Sequence, residues 1–275
     1  MLVRRTRSDD WLAIELLIDT ARFASPAIWP WRESLTARGF VVVEVERRIK
    51  AALLASSDQS PVAWIRLAAV SEGLDVRRWL DVSLPPILAH LRAQDVRQLA
   101  WMDHGSWFTP VLERQGFGRL AEVITLTKTD RGLPPIDTAP ISLRAASDAD
   151  YEALSVIDRR AFTPPWWRSA TSMRRRARST SRFLVAERGN EVIGYAEREL
   201  DPPQAHLNRI AVDPLFQGRG VGAALLKHTL VSMWQRGIET VSLNTQRSNR
   251  RSQSLYSRFG FAATGDSVTV WALRL

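Results

Sequence analysis

The stretch His206–Leu226, HLNRIAVDPLFQGRGVGAALL, constrains the fold of this chain more than any other. Leu207, Ile210 and Val212 give it the apolar character of a strand. Asp213-Pro214 ends that strand, because proline has no N–H with which to extend a ladder. Alternation along the strand places His206, Asn208 and Ile210 on one face. Gln217-Gly218-Arg219-Gly220-Val221-Gly222 then supplies glycines where a backbone must bend sharply and approach something closely. Leu226, Leu230 and Trp234 follow at helical spacing, so the glycine run opens a helix. Free N–H groups and the positive end of the helix dipole meet there, which makes a seat for phosphate. No Gly-Lys-Ser/Thr follows, as a P-loop would require. G-x-G-x-G without an acidic ribose ligand on a following strand is not the dinucleotide fingerprint either. Taken alone, the run fits a plain strand–helix turn as well.

A second stretch, Asn249–Phe261 (NRRSQSLYSRFGF), reads as a short helix closed by Gly260 in a helix-stop position. The two stretches together resemble the GNAT superfamily of N-acetyltransferases. The first signature of that family stands here as Val212-Asp213-Pro214 followed by Gln217, Gly220 and Gly222. The second stands as Asn249, Ser252, Leu255, Tyr256, Gly260 and Phe261. Within the family, the C-terminal half is similar to the ribosomal-protein N-terminal acetyltransferases, also through Ile157–Trp166. The implied fold class is α/β, with a mixed sheet.

The first half repeats the second. Val3-Arg4 recurs as Leu143-Arg144, Ser8 to Trp11 as Ser147 to Tyr151, and Ile18-Asp19 as Ile157-Asp158. Phe40 to Glu44 recurs as Phe183 to Glu187, and Gly116-Phe117 as Gly260-Phe261. A repeat this long means two copies of one fold rather than a solenoid. The expectation is two tandem GNAT-like acyl-CoA N-acyltransferase domains: a degenerate one over 1–130, a Pro-rich linker over 131–140, and a catalytic one over 141–275. In the first half Ser8 caps a helix carrying Trp11, Ile14 and Leu17-Ile18 on one face, and Val76–Arg92 is helical with a kink at Pro85-Pro86. The phosphate-loop positions there hold Asp75 to Leu80 without glycine, and Leu112 stands in the place of Tyr256. That half therefore reads as a scaffold or pocket wall.

The resemblance implies direct attack of an amine on acetyl-CoA. The backbone of Gln217, Gly218, Arg219, Gly220, Val221, Gly222 and Ala223 would take the pyrophosphate. Ile210, Ala211 and Val212 would pair with the pantetheine arm, and the Ile210 N–H would polarise the thioester carbonyl. Asn249 and Ser252 would border the cofactor, although Asn249 also suits a helix N-cap. Tyr256 occupies the position of the general acid, with a packing-only tyrosine as the alternative. The related N-terminal acetyltransferases carry a glutamate five residues before the motif asparagine, where this chain has Asn244. His206 is then the candidate base, with Glu197 and Glu199 as alternatives. Trp166 and Trp167, with Glu199 and Asn244, are expected to line the acceptor site. Weak basic assistance favours an α-amine over a lysine, because the α-amine is partly neutral near pH 7.

Cys is 0, which removes disulfides, thiolate nucleophiles and Cys-based zinc sites. The 4 His lie at no metal-ligand spacing, so no metal is expected. No stretch reaches ~20 apolar residues, and no membrane span or signal core is read, which suits a cytoplasmic enzyme. The net charge of +9 suits a phosphorylated cofactor, and nucleic acid ranks below it as a partner. The run Arg174-Arg175-Arg176 reads as a solvated face. Tandem domains are compatible with a monomer. The rival from another class is a catalytically silent CoA-sensing or nucleic-acid-binding module on the same fold.

Overall fold

The computed structural model describes residues 1–25, 31–105, 107–137 and 140–275. Thr138 and Ala139 of the expected linker lie outside the described residues. The elements are β1 (Leu2–Arg5), α1 (Trp11–Thr20), β2 (Phe23–Ala24), β3 (Phe40–Val45), β4 (Arg48–Gln59), β5 (Val62–Val70), α2 (Val76–Arg92), β6 (Gln98–Asp103), α3 (Thr109–Arg114) and β7 (Gly118–Lys128). They continue with β8 (Ser142–Ala145), α4 (Tyr151–Ala161), α5 (Ala170–Arg178), β9 (Ser181–Arg188), β10 (Glu191–Asp201), β11 (Gln204–Val212), α6 (Val221–Trp234), β12 (Thr240–Gln246), α7 (Arg250–Arg258) and β13 (Ala262–Arg274).

The chain forms two compact units, the first built from two separate stretches and the second from one continuous segment. The first comprises Met1–Ala121 with Val268–Leu275, the second Glu122–Ser267. In the first unit the sheet order is β1-β3-β4-β5-β6, completed by residues 269–274 of β13. Its β5–β6 pair is parallel and the others antiparallel. In the second unit the order is β8-β9-β10-β11-β12, completed by residues 123–128 of β7. There β11–β12 is the parallel pair. The two units thus share strand order and strand sense.

Each sheet is covered on both faces because its strands alternate apolar residues to two sides. In the first unit Ile14 and Leu17 of α1 pack on Phe40, Val42, Ala52 and Leu54. On the other face Trp79, Leu84 and Ile87 of α2, with Leu112 of α3, pack on Val41, Val43 and Leu53. The second unit puts α4 and α5 on Phe183, Val185 and Tyr195. Its α6 and α7 cover Leu207, Val241 and Leu243.

The repeat extends to individual hydrogen bonds. Arg4 donates to Asp10 at 2.7 and 2.9 Å and to Glu44 at 2.7 Å. Arg144 donates to Asp150 at 2.8 Å through two nitrogens and to Glu187 at 2.9 Å. The main-chain N–H of Arg7 and of Ser147 close onto the same aspartates at 2.7 and 2.6 Å. The group that organises the first helix entry is therefore Asp10 rather than Ser8. Trp11 turns outward, 42% exposed, and leaves the buried face to Ile14 and Leu17. The ends of α3 and α7 close alike: the Phe117 N–H donates to the Leu112 carbonyl and the Phe261 N–H to the Tyr256 carbonyl. Gly116 and Gly260 sit there at φ +87° and +82°, which only glycine adopts without strain. Leu112 and Tyr256 are equivalent positions.

Candidate active site

Strands β11 and β12 pair only over Gln204–Leu207 and Thr240–Leu243. Beyond that, β11 runs on to Val212 and β12 to Gln246, and the two no longer pair with each other. The cause is local. Glu197 faces Arg209 across the β10–β11 ladder, but Arg198 faces Leu207, so Asn208 is an extra residue in β11. Such a bulge bends its strand and exchanges the faces of every residue after it. Ala205 and Leu207 accordingly share a core with Ile210, not with Ala211. The single face expected for His206, Asn208 and Ile210 is corrected by this insertion: His206 and Ile210 point to opposite sides. The Nδ2 of Asn208 is buried and has no hydrogen-bond partner in the protein.

The loop after β11 is fixed at both ends. Asp213, 5% exposed, accepts from the Leu215 N–H at 3.0 Å and from Arg160 of α4 at 2.9 Å. Gln217 donates through Nε2 to the Val212 carbonyl at 2.9 Å, and its Oε1 accepts from Arg251. Gly218 and Gly220 take φ of +81° and +79°, and Gly220 is the N-cap of α6. No side chain caps that helix. Val221 and Ala223 turn their side chains into the core, and Arg219 stacks over Phe216. Uncapped backbone N–H groups are thus presented at the start of α6, with the Arg251 guanidinium beside Gly218. The equivalent helix of the first unit differs: Asp75 caps α2 and accepts from the Arg78 N–H at 2.8 Å. A carboxylate already occupies the place where an anion would sit.

Tyr256 lies on α7, buried, with its ring edge-on to Phe261 at 5.8 Å. Burial pushes its phenol up to about 12, and the charge of Arg209 pulls the other way. Asn249 caps α7 by accepting from the Ser252 N–H at 3.1 Å, so both residues are engaged in the helix start.

On the opposite face, the Nδ1 of His206 lies 2.8 Å from the Ser242 hydroxyl, which sits 3.3 Å from the Ala205 carbonyl. Burial lowers the His206 pKa and Glu199 opposes the shift, while Arg176 and Arg168 add to the lowering. The imidazole is therefore neutral at physiological pH. Asn244 is exposed and accepts from Thr125 at 3.0 Å. Glu197 is fully buried and accepts from Arg168, Arg176 and, at 2.9 Å, Ser181. Glu199 accepts from Arg176 at 2.9 Å, and the Ser181 hydroxyl, 2.8 Å away, shares its single proton between the two carboxylates. Both carboxylates are thus tied to guanidinium groups, and Arg176, expected on a solvated face, is turned inward to hold them. Trp166 and Trp167 are both half-buried. Trp167 donates to the Phe162 carbonyl at 2.8 Å under the Arg159 guanidinium.

Sequence reasoning passed over the hub of this face. Asp158, fully buried, accepts from Tyr195 at 2.6 Å, from Arg209 at 2.6 and 3.1 Å, and from the Arg168 N–H at 2.8 Å. Arg209 also reaches the Trp166 carbonyl. One carboxylate thereby ties the segment Phe162–Arg168 to the strand beside the split. The signal was present in the sequence: Asp158 falls four residues after Leu154, on the apolar stripe of its helix, where an acid must be paired.

A mixed sheet that splits beside an uncapped helix start, with a buried tyrosine on the following helix, defines a class of acyl-transfer protein. The chain belongs to the GNAT acetyltransferase family, and residues 151–261 match that family directly. Among its relatives, the [ribosomal protein bS18]-alanine N-acetyltransferase of Salmonella typhimurium is 32% identical over 115 residues, 42% of this chain and 76% of that one. The mycothiol acetyltransferase of Acidimicrobium ferrooxidans is 30% identical over 196 residues, spanning 63% of this chain and 62% of that relative. A tandem GNAT protein from the clavulanic acid biosynthesis pathway superposes with a TM-score of 0.66 at 16% identity, covering 99% of this chain and 98% of its own. That likeness shows the shared fold. Acetyltransferases of the family use acetyl-CoA. The bare start of α6 and the unpartnered Asn208 Nδ2 fit such a group. Among the described residues no helix is long and apolar enough to cross a membrane.

Proposed function

We propose that the chain transfers an acetyl group from acetyl-CoA to the α-amine of a peptide or a small molecule, and that the second unit does the chemistry. The observation that carries this reading is the β11–β12 split beside the uncapped Gly220 helix start. When bound, acetyl-CoA supplies an activated acetyl thioester. The backbone N–H groups of Gly218 to Ala223 bind phosphate there, aided by the helix dipole. Residues 210–212 offer main-chain groups freed by the split, and the Ile210 N–H is the oxyanion donor. Tyr256 holds a phenol proton for the departing thiolate, and burial keeps that proton on. Neutral His206 is the base, with its Nδ1 engaged by Ser242 and its Nε2 left for the amine, directly or through water. Trp166, Trp167, Glu199 and Asn244 border the acceptor. The first unit, with Asp75 in its helix start, serves as scaffold and binds no acetyl-CoA.

The α-amine is favoured because the two candidate carboxylate bases, Glu197 and Glu199, are committed to Arg168, Arg176 and Ser181. An acceptor must then arrive neutral. Near pH 7.5 the neutral fraction of an α-amine exceeds that of a lysine by roughly 10²-fold. Thiol release should be followed with the full chain, acetyl-CoA and paired peptides, one with a free α-amine and one with only a lysine amine. Turnover of the α-amine peptide, or of small α-amino compounds, in large excess over the lysine peptide is expected. Equal rates for both would remove the acceptor assignment, and absence of any thiol release across the panel would remove the activity.

A further inference from the structure

We infer that the second unit carries an additional anion site, built for the phosphate group of a small organic ligand, under the C-terminal half of α6. A cavity of about 570 Å³ lies between that half of the helix and strands β9 and β10. The first half of α6 is packed conventionally, with Val221 and Leu225 against Ala186, Ile193 and Ala196. Toward the other end Leu230 and Met233 stay in the core with Leu207 and Val241, while on the β9–β10 side the sheet presents Arg198.

Three guanidinium groups, from Arg182, Arg198 and Arg236, line this cavity, and no Asp or Glu is among its lining residues. Their hydrogen bonds go to neutral oxygens. Arg198 donates to the Ser232 hydroxyl, Arg236 to the Ser232 carbonyl at 2.7 Å and Arg182 to the Ser181 carbonyl at 2.9 Å. Burial lowers the Arg198 pKa, and the charges that act on it, from Arg236 and Arg182, push the same way. Three clustered cations without a carboxylate repel one another, and the chain elsewhere pairs its buried arginines carefully. Arg168, Arg176 and Arg209 all have acidic partners.

Two buried polar atoms point to what is missing. The Nε of Arg198 and the Oγ1 of Thr229 are buried and have no partner in the protein, and Thr229 is only 1% exposed. Both residues line the cavity. Such atoms cost free energy unless something bonds to them. A phosphate ester answers each feature: it carries nearly two negative charges and three acceptor oxygens. Guanidinium forks match that geometry better than single-point donors. Leu184, Leu200 and Ala196 give the wall an apolar portion that suits an organic body, while His228 and Gln235 add neutral polar groups. The volume is that of a small-molecule pocket rather than a seat for a bare ion. All its residues differ from those placed in the acetyl-transfer site, and α6 carries the two at its opposite ends.

The test uses phenyl phosphate as the probe on the full chain, with coenzyme A saturating so that the Gly220 phosphate seat is filled. Phenyl phosphate should raise the melting temperature and bind in calorimetry, whereas phenol should not, and benzoate should bind more weakly. The Arg198→Met/Arg236→Gln double variant should weaken phenyl phosphate about tenfold or more. Its circular dichroism and acetyl-CoA affinity should be unchanged, and without probe it should melt no lower than the parent, since cationic repulsion is relieved. Should the double variant misfold, the exposed Arg236→Gln change alone must still weaken the probe. No shift with the parent protein, an undiminished shift in the variants, or benzoate equal to phenyl phosphate would overturn the proposal.

Discussion

At the scale of single residues, Tyr256 and its counterpart Leu112 occupy one position in two copies of a fold, with the same backbone bond from the phenylalanine five residues on. Only one of them carries a proton. Tyr256→Phe keeps the ring against Phe261 and removes the hydroxyl. Acetyl-CoA affinity should hardly change while kcat and kcat/KM fall together by roughly 10²–10⁴-fold, as for a positioned acid whose interaction exists only in the transition state. A Phe variant running at the parental rate would reduce Tyr256 to a packing group. Because burial raises this phenol to about 12, its deprotonation should leave no alkaline limb in kcat below about that pH. His206 moves the other way. Its pKa is lowered by burial, so the neutral base persists below the ordinary histidine value and is lost only as pH falls through the lowered one. With an acceptor of low amine pKa, kcat/KM should show that acid limb, and His206→Gln should abolish it with a loss of about 10²-fold. A variant that retains both rate and profile would pass the base role to water.

At the scale of elements, two helix starts with the same place in the fold differ in what satisfies them. Asp75 caps α2 with its own carboxylate; Gly220 leaves α6 bare. Gly220→Val forces a side chain onto a residue at φ +79°, at a cost of about 1–2 kcal/mol, and fills the approach to the N–H groups. Calorimetry should find one acetyl-CoA per parental chain and none for this variant, and unchanged affinity would unseat the helix start as the phosphate seat. The strand-to-helix entry at Arg144, Ser147 and Asp150 makes a different prediction. The Arg144 hydrogen bond, opposed by burial, holds the Asp150 carboxyl far below its ordinary 3.8, with the Ser147 N–H and hydroxyl adding to the effect. A folded-state pKa below the unfolded value stabilises above 3.8 and loses that contribution as pH falls further. Asp150→Asn should therefore lower the melting temperature at pH 7, and the gap from the parent should close as pH drops below 3.8. A gap independent of pH would mean the ionised carboxylate is not what stabilises the entry.

At the scale of the molecule, the first compact unit is completed by a strand from the far end of the sequence. Residues 269–274 pair with β6, where Val270 is fully buried and Trp271 faces Trp101. Deleting residues 268–275 should therefore destabilise the first unit, although the deletion lies at the far end of the sequence. Hydrogen exchange at β6 is the direct measurement, and protection there equal to that of the full chain would contradict the assignment of that strand.

The sequence by itself determined the two copies of the fold, the glycine-opened helix and the place of Tyr256. Those features are local: a glycine at positive φ, an apolar repeat at helical spacing and a proline that ends a strand act over a few residues, and their pattern can be read along the chain. The tertiary structure alone decided the rest. The bulge at Asn208 reverses the faces of β11 and opens the split, because a strand's register is set by its partner β10 and not by its own composition. Asp158, Glu197 and Arg176 acquire their roles only when strands and helices distant in sequence bring the opposite charges together. The last strand of each unit is settled in the same way, since a ladder accepts whichever strand reaches its edge, and no pattern within Val123–Lys128 or Thr269–Arg274 names the partner.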